Sequence, residues 1–143
     1  MKIKQISLFL ENKPGHLNAI CRTLADEGIN IVTLSLADTQ QFGIVRLIVR
    51  DWEKAKAVLE KAGLVVNVRD VVAATVNDVP GGMADLLDAV GHAGVNIEYM
   101  YAFSFHANEK AILVFRFDDA DKAIEALRKI GADILDSSAL FSK

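Results

Sequence analysis

The chain has 143 residues, of which 52% are hydrophobic and 24% are charged, and its formal net charge is -3 at pH 7. This composition excludes a disordered chain and allows one medium domain or two small ones. The scattered basic residues do not form a nucleic-acid-binding stripe, and no apolar run is long enough to span a membrane. A single cysteine, Cys21, excludes an intramolecular disulfide and a CxxC metal site, so we expect a cytoplasmic protein.

The sequence contains two copies of one pattern. Pro14-Gly15 recurs as Pro80-Gly81, and Gly28-Ile29-Asn30-Ile31 recurs as Gly94-Val95-Asn96-Ile97. The repeat predicts two similar domains, and we place them at residues 1–69 and 70–143. No Pro- or Ser-rich linker separates the copies in the sequence, so we expect the two domains to be packed together.

The hydrophobic periodicity of each copy indicates the order strand, helix, strand, strand, helix, strand. In the first copy the predicted elements are a strand at 3–10, a helix at 14–27, strands at 30–38 and 43–50, a helix from 51 to 62, and a strand at 64–69. Pro14 suits the first turn of the first helix, and Asp51 suits the N-cap of the second. The inward stripes of the two helices are Leu17, Ile20, Cys21 and Leu24, and Ala55, Val58, Leu59 and Ala62.

The βαββαβ order predicts an α+β protein of two ferredoxin-like units. Each unit has an antiparallel four-stranded sheet with helices on one face. A unit of about 70 residues is only marginally stable alone, and its open sheet face and edge strands favour a covering partner. We therefore expect a homodimer.

The residue types that carry enzyme chemistry are not grouped in this sequence. His16, His92 and His106 are not at metal-ligand spacing, and Cys21 lies on a predicted buried stripe. Asp118-Asp119 is typical of a helix cap and its neighbour rather than of a two-carboxylate active site. We therefore predict no catalytic residue, no metal and no cofactor.

The segment between the first strand and the first helix is the candidate binding site. Pro and Gly at a helix start leave the first backbone N–H groups accessible, and the helix dipole favours a carboxylate there. An asparagine amide can donate to the carboxylate and accept from the ammonium of a free amino acid. The simpler interpretation is that Asn12 only caps the helix and that Pro14-Gly15 only turns the chain. The candidate residues of this segment are Asn12, Lys13, Pro14, Gly15, His16 and Leu17.

The sequence ENKPGHL followed by GINI, with Asn12 and Asn30 inside a βαββαβ unit, closely resembles the ACT domain. This amino-acid-binding regulatory module is found on phosphoglycerate dehydrogenase, aspartokinase and the small subunit of acetolactate synthase. The resemblance covers the whole chain as two copies and implies that a free amino acid binds between two such units. The dehydrogenase-type loop begins with His where this chain has Leu10, which makes serine a less suitable ligand.

The predicted first helix places Asn12 and Asn30 roughly 20 Å apart, so one small ligand cannot contact both. We therefore expect two sites that each combine two units, Asn12 with Asn96 and Asp78 with Asn30. The second site is expected to be weaker, because the Asp78 carboxylate repels a ligand carboxylate by on the order of 1 kcal/mol. The other candidate residues are Ile31, Gly81, Gly82, Met83 and Ile97.

These observations favour a non-catalytic regulatory protein that senses a free amino acid. The alternative is a regulatory small subunit of an amino-acid biosynthetic enzyme such as acetolactate synthase, because FLENKPGHL is also similar to that subunit. RNA binding on the same topology needs exposed aromatic residues on the central strands, and the segment Gly43–Val49 has none. We therefore expect a free amino acid and a possible enzyme as partners, and neither nucleic acid nor membrane.

Overall fold

The computed structural model describes residues 1–39, 41–105 and 110–142. The chain divides into two compact units. The first unit is Lys4–Arg69, and the second unit is Asp70–Lys143 together with Met1–Ile3. The first three residues thus group with the second unit, where Lys2 Nζ lies 3.1 Å from Asp121 Oδ1.

In its described residues, the first unit contains three antiparallel strands in the order β2-β3-β1. Its register places Leu10 of β1 opposite Gly43 of β3, and Glu11 opposite Phe42. Strand β4 begins in this unit and continues into the second. The elements are β1 (Ile3–Glu11), α1 (His16–Asp26), β2 (Ile31–Thr39), β3 (Phe42–Val49), α2 (Trp52–Lys61) and β4 (Val66–Asn77).

Outside residues 106–109 and 143, the second unit contains four antiparallel strands in the order β5-β6-β4-β7. With two helices of ten or more residues, α3 and α4, this is the predicted ferredoxin-like α+β arrangement. The elements after β4 are α3 (Gly82–His92), β5 (Ile97–Phe105), β6 (Lys110–Phe117), α4 (Ala120–Lys129), β7 (Ile134–Leu135) and α5 (Ser137–Phe141).

Each unit has its own hydrophobic core. In the first unit, Ile6, Leu8 and Leu10 alternate along β1 and are buried in one cluster, as their period of two predicts. Trp52 is partly buried against the same cluster. In the second unit the cluster includes Phe115 and Phe117, whose stacked ring centroids lie 5.2 Å apart.

The first helix differs from its prediction at both ends and on its inner face. Helix α1 begins at His16 rather than at residue 14, because Gly15 has φ 89° and helical geometry starts only after it. Pro14 therefore precedes the helix instead of lying in its first turn. Ile20 and Leu24 are buried as predicted, whereas Cys21 is only half-buried.

The prediction for the second helix is correct at its N-cap, but the helix ends at Lys61 rather than at residue 62. Asp51 is the N-cap of α2, and its Oδ1 accepts a hydrogen bond of 3.1 Å from the Lys54 amide. Ala55 and Leu59 are buried, but Ala62 lies beyond the helix and is exposed. Asp119 caps α4 in the same way, through the Lys122 amide at 3.1 Å.

Two features near the strand ends were not predicted. The strand expected to end at residue 69 continues without a break to Asn77, because residues 71–74 are apolar and buried on both faces. The last strand of the second unit has only two residues, and a short helix, α5, follows it. Asp136 caps α5 by accepting a 2.7 Å hydrogen bond from the Ala139 amide. An aspartate directly before a helix is a start signal that can be recognised in the sequence.

Candidate functional site

The first loop, residues 12–15 between β1 and α1, is held in place by backbone hydrogen bonds. The Asn12 amide donates to the Gln41 carbonyl at 3.0 Å, and the Lys13 amide donates to the Glu11 carbonyl at 2.8 Å. The His16 amide donates to the Lys13 carbonyl at 3.3 Å. These bonds present the exposed side chain of Asn12 beside the start of α1.

The start of α1 is the candidate position for a ligand's anionic group. Gly15 is the N-cap in a left-handed conformation, and in the described part of the chain no side chain caps this helix. Asn12 therefore does not act as the N-cap, which was the simpler interpretation of its position. The first-turn amides of a helix have no acceptor within it and carry the positive end of the dipole. Leu17 is half-buried against the core and anchors this turn.

A close ion pair lies at the edge of the first loop. Lys13 Nζ is 2.7 Å from Glu11 Oε2. The hydrogen bond from Lys13, then its positive charge, and to a lesser degree the charge of His16, lower the pKa of Glu11. The same hydrogen bond raises the pKa of Lys13. A ligand carboxylate must therefore compete with Glu11 for the Lys13 ammonium.

Asn30 lies at the other end of α1 from Asn12. Helix α1 has 11 residues, which makes it roughly 16 Å long. Asn30 is exposed, and the following residue, Ile31, begins β2 and packs partly buried against the core of the first unit. The structure therefore keeps Asn12 and Asn30 apart within the first unit, and a small ligand that contacts one does not reach the other.

The second loop, residues 78–81 between β4 and α3, repeats the glycine cap but is closed more tightly. Gly81 is the left-handed N-cap with φ 85°, and Asp78 is exposed. The next residue, Gly82, is buried, and a Cβ added there would lie 2.0 Å from the carbonyl oxygen of Asn77. The first loop has His16 at this position, so the two helix starts differ in shape. Met83 follows and packs against the core of the second unit.

Asn96, the counterpart of Asn30, is fixed by a partner that the sequence analysis did not identify. Its amide donates to Asp118 Oδ1 at 2.9 Å, and the Asp118 amide donates to the Asn96 carbonyl at 3.1 Å. Ile97 then begins β5, partly buried against the core. The residue equivalent to Asp118 in the first copy is Arg50, which has no carboxylate to hold Asn30 in this way.

A cavity of about 420 Å³ adjoins the first loop, and sequence reasoning did not find it. Its walls come from the end of β1 (Phe9–Glu11), one face of α1, Phe42, and the segment after α2 (Ala62 and Leu64). We call it the first cavity. The equivalent residues of the second unit enclose a cavity of about 230 Å³, which we call the second cavity. The difference between the two cavities could have been found by aligning the two copies of the sequence, because Thr75 and Lys110 stand where the first copy has Phe9 and Phe42.

The described residues contain no group of three or more His, Cys, Asp or Glu side chains that suits a metal ion. His16 lies at the start of α1 and His92 at the end of α3, whereas His106 lies outside the described residues. Within the same described ranges, no helix is long and apolar enough to cross a membrane.

The two units thus define a class of α+β protein in which a ferredoxin-like unit carries a glycine-capped helix start. A family model described as an ACT domain pair matches residues 1–141, and the chain belongs to this family. It is therefore a regulatory protein of the ACT-domain class.

Solved structures share the fold of this chain. Protein BT0572 from Bacteroides thetaiotaomicron is 41% identical with a TM-score of 0.90, and the match covers 100% of this chain and 98% of that one. The ligand-free regulatory subunit of aspartate kinase from Thermus thermophilus shares the fold at 21% identity and a TM-score of 0.67, over 90% of both chains. The regulatory subunit of aspartate kinase from Thermus flavus shares the fold at 22% identity and a TM-score of 0.64, and the match covers 88% of this chain and 90% of that one. No curated protein sequence matches the chain.

Proposed function

We propose that this ACT-domain protein is a non-catalytic sensor that binds a free amino acid at the first loop. The observation that carries this proposal is the start of α1, where a left-handed Gly15 caps the helix and no described side chain does so. The amides of the first turn and the helix dipole suit the α-carboxylate of the ligand. The Asn12 side chain is exposed beside them and has both a donor and an acceptor for the zwitterion.

The first loop is the stronger of the two candidate sites in this proposal. Asp78 stands where the first copy has Asn12, and its carboxylate repels that of a ligand. The close approach of Gly82 to the Asn77 carbonyl also narrows the second helix start. Both features favour the first loop as the binding site and a structural or altered role for the second.

The test is a thermal-shift screen of the full chain against the twenty amino acids at millimolar concentration. A ligand that binds only the folded state raises the melting temperature. We expect Asn12→Ala to abolish the shift and to change the melting temperature of the free protein little, because Asn12 is exposed and does not cap α1. Lys61→Ala, a change of an exposed residue at the end of α2 that belongs to neither candidate site, is the control and should keep the shift. An unchanged shift in Asn12→Ala contradicts the assignment to the first loop.

The participation of a second unit stays a prediction from the sequence, with Asn12 paired with Asn96 and Asp78 paired with Asn30. We propose residues 1–69 and 70–143 as the two ACT domains. Asn96→Ala should weaken binding of the amino acid if the pairing is correct, and full affinity in this variant would place the site within one domain. Location in the cytoplasm and a homodimer also stay predictions, and sedimentation velocity measures the latter directly.

The alternative function is a regulatory subunit that acts on a biosynthetic enzyme. The two Thermus structures are titled as regulatory subunits of aspartate kinase, and their likeness to this chain establishes the shared fold alone. Purification of the tagged chain from its own cells distinguishes the two functions. A large enzyme subunit recovered in equal amount supports the alternative, whereas recovery of the chain alone supports the sensor.

A further inference from the structure

The walls of the first cavity are mostly apolar. Leu10, Ile20 and Leu64 form its inner side, and the rings of Phe9 and Phe42 stand at its rim. The two phenylalanines are 61% and 50% exposed. A volume of about 420 Å³ falls in the range of small-molecule sites, and an apolar occupant would remove both rings from water.

One face of α1 connects this cavity with the first loop. His16, Ala19, Ile20 and Thr23 line the cavity, and their spacing places them in a single row along the helix. Glu11, beside the loop, lines the opposite wall. A ligand whose charged groups lie at the start of α1 can therefore extend a side chain along this row into the apolar part of the cavity.

The second cavity has the same position in its unit but a different chemistry. Thr75 and Lys110 replace Phe9 and Phe42, Asp85 replaces Ala19, and Ala132 replaces Leu64. Its volume is about 230 Å³, which is below the range of small-molecule sites.

Polar contacts join two residues that line the second cavity, Thr75 and Lys110, to the neighbouring Asp133. The Thr75 amide donates to the Asp133 carbonyl at 3.0 Å, and the Asp133 amide donates to Thr75 Oγ1 at 3.0 Å. Lys110 Nζ lies 3.7 Å from Asp133 Oδ2. In the first copy the counterparts of these three residues are Phe9, Val65 and Phe42, and all of them are exposed. The apolar cavity is thus specific to the first copy.

We infer that the first cavity holds the side chain of the bound amino acid and that this side chain is large and apolar, either branched aliphatic or aromatic. The inference rests on the proposed amino-acid binding at the first loop and adds the class of the ligand. A polar or charged side chain that extends past Glu11, His16 and Thr23 to the inner side of the cavity would place uncompensated polar groups against Leu10, Ile20 and Leu64.

The test converts the rim of the first cavity into that of the second. In the full chain, the double variant Phe9→Thr with Phe42→Lys replaces two exposed rings by the residues of the second copy, which should leave folding intact. The matched control is Val65→Thr, an isosteric change of a residue that is 76% exposed and does not line the cavity. Binding of leucine, isoleucine, phenylalanine, serine, aspartate and lysine is measured by calorimetry.

The wild-type chain and Val65→Thr should bind an apolar amino acid at least tenfold more tightly than serine, aspartate or lysine. The double variant should lose at least tenfold of the apolar affinity. Preference for a polar amino acid, or apolar affinity within twofold of wild type in the double variant, overturns the inference and leaves amino-acid sensing in place. If no amino acid binds the wild-type chain, the proposed function itself fails. If the double variant only abolishes a dimer seen by sedimentation, the rings are an interface between copies and the inference is wrong.

Discussion

Among the nine glycines, Gly82 has the least space available for a side chain. A Cβ at this position would lie 2.0 Å from the Asn77 carbonyl oxygen, which is backbone and cannot rotate away. We expect Gly82→Ala to lower the free energy of unfolding by about 1 to 3 kcal/mol or more, as overpacking does. Urea denaturation of the full chain measures this change.

Gly91 provides the control in the same helix, because a Cβ there would meet no atom within 4 Å. Gly91→Ala should raise the free energy of unfolding by roughly 0.5 to 1 kcal/mol, the gain of alanine over glycine inside a helix. Equal stability of the two variants would show that β4 and α3 separate easily at this loop.

The ion pair of Glu11 and Lys13, at the edge of the first loop, depends on pH because both of its groups titrate. The pKa of Glu11 is lowered from its ordinary value of 4.5, so the pair stabilises the loop above that pH and loses this contribution as the pH falls through the lowered pKa. The pKa of Lys13 is raised from 10.5, so the pair is lost again only as the pH rises through that raised value. Between these limits neither group titrates, and ligand affinity should not vary with pH on their account.

An NMR titration of the Glu11 carboxyl carbon tests this pair. In Lys13→Met we expect the pKa of Glu11 to rise toward 4.5, because the hydrogen bond and the charge that lower it are both removed. Lys61→Met, a change at the end of α2, should leave the pKa of Glu11 as it is in the wild type. The same value in all three proteins would mean that the pair does not form in solution.

At the scale of single elements, helices α2 and α4 begin alike and α1 and α3 begin alike. Asp51 and Asp119 each cap their helix through a carboxylate, whereas Gly15 and Gly81 cap theirs without a side chain. The aspartate caps stabilise their helices. At the glycine caps the first helical amide donates to a loop carbonyl, and no described side chain accepts from the amides that follow it. The amides after His16 are therefore the ones that the proposal gives to a ligand, which is why the proposed site lies at α1 and not at α2.

The cap of α2 has a direct test. Asp51→Ala removes the acceptor of the Lys54 amide and should cost about 1 kcal/mol of the free energy of unfolding. Asp51→Asn keeps an oxygen at the same place and should cost little, since asparagine is an equally good N-cap. Chemical denaturation compares the two variants, and a similar loss in both would assign the effect to charge rather than to the cap.

At the scale of the whole molecule, ligand binding should appear as stability that grows with ligand concentration. At 100 times its Kd, a ligand specific for the folded state adds about 2.7 kcal/mol. For a chain of this length that corresponds to a rise in Tm of roughly 5 to 10 °C. The D-enantiomer is the control, because it cannot place its carboxylate, ammonium and side chain on the same three contacts. A rise that does not depend on concentration, or is equal for both enantiomers, would contradict specific binding.

Much of the fold was predictable because its signals are local. The period of two in β1, the apolar stripe of α2 and the caps Asp51 and Asp119 each depend on residues within one or two turns of each other. The first residue of α1 was not predictable from Pro14, which is compatible with positions before or inside a helix. The half-buried state of Cys21 was also missed, because it depends on how far α1 is rotated against its sheet.

The candidate site, like the fold, could be predicted from the sequence only in part. The sequence alone identified the repeat, the first loop with Asn12 and Gly15, and the resemblance that the family match confirms, because these are contained in short contiguous segments. Only the tertiary structure revealed that Gly82 is pressed against Asn77, and that Phe9, Phe42 and Leu64 enclose a cavity. These residues are far apart in the chain, and the volume between their side chains depends on the register of the sheet and the packing of the helices, which no local pattern specifies.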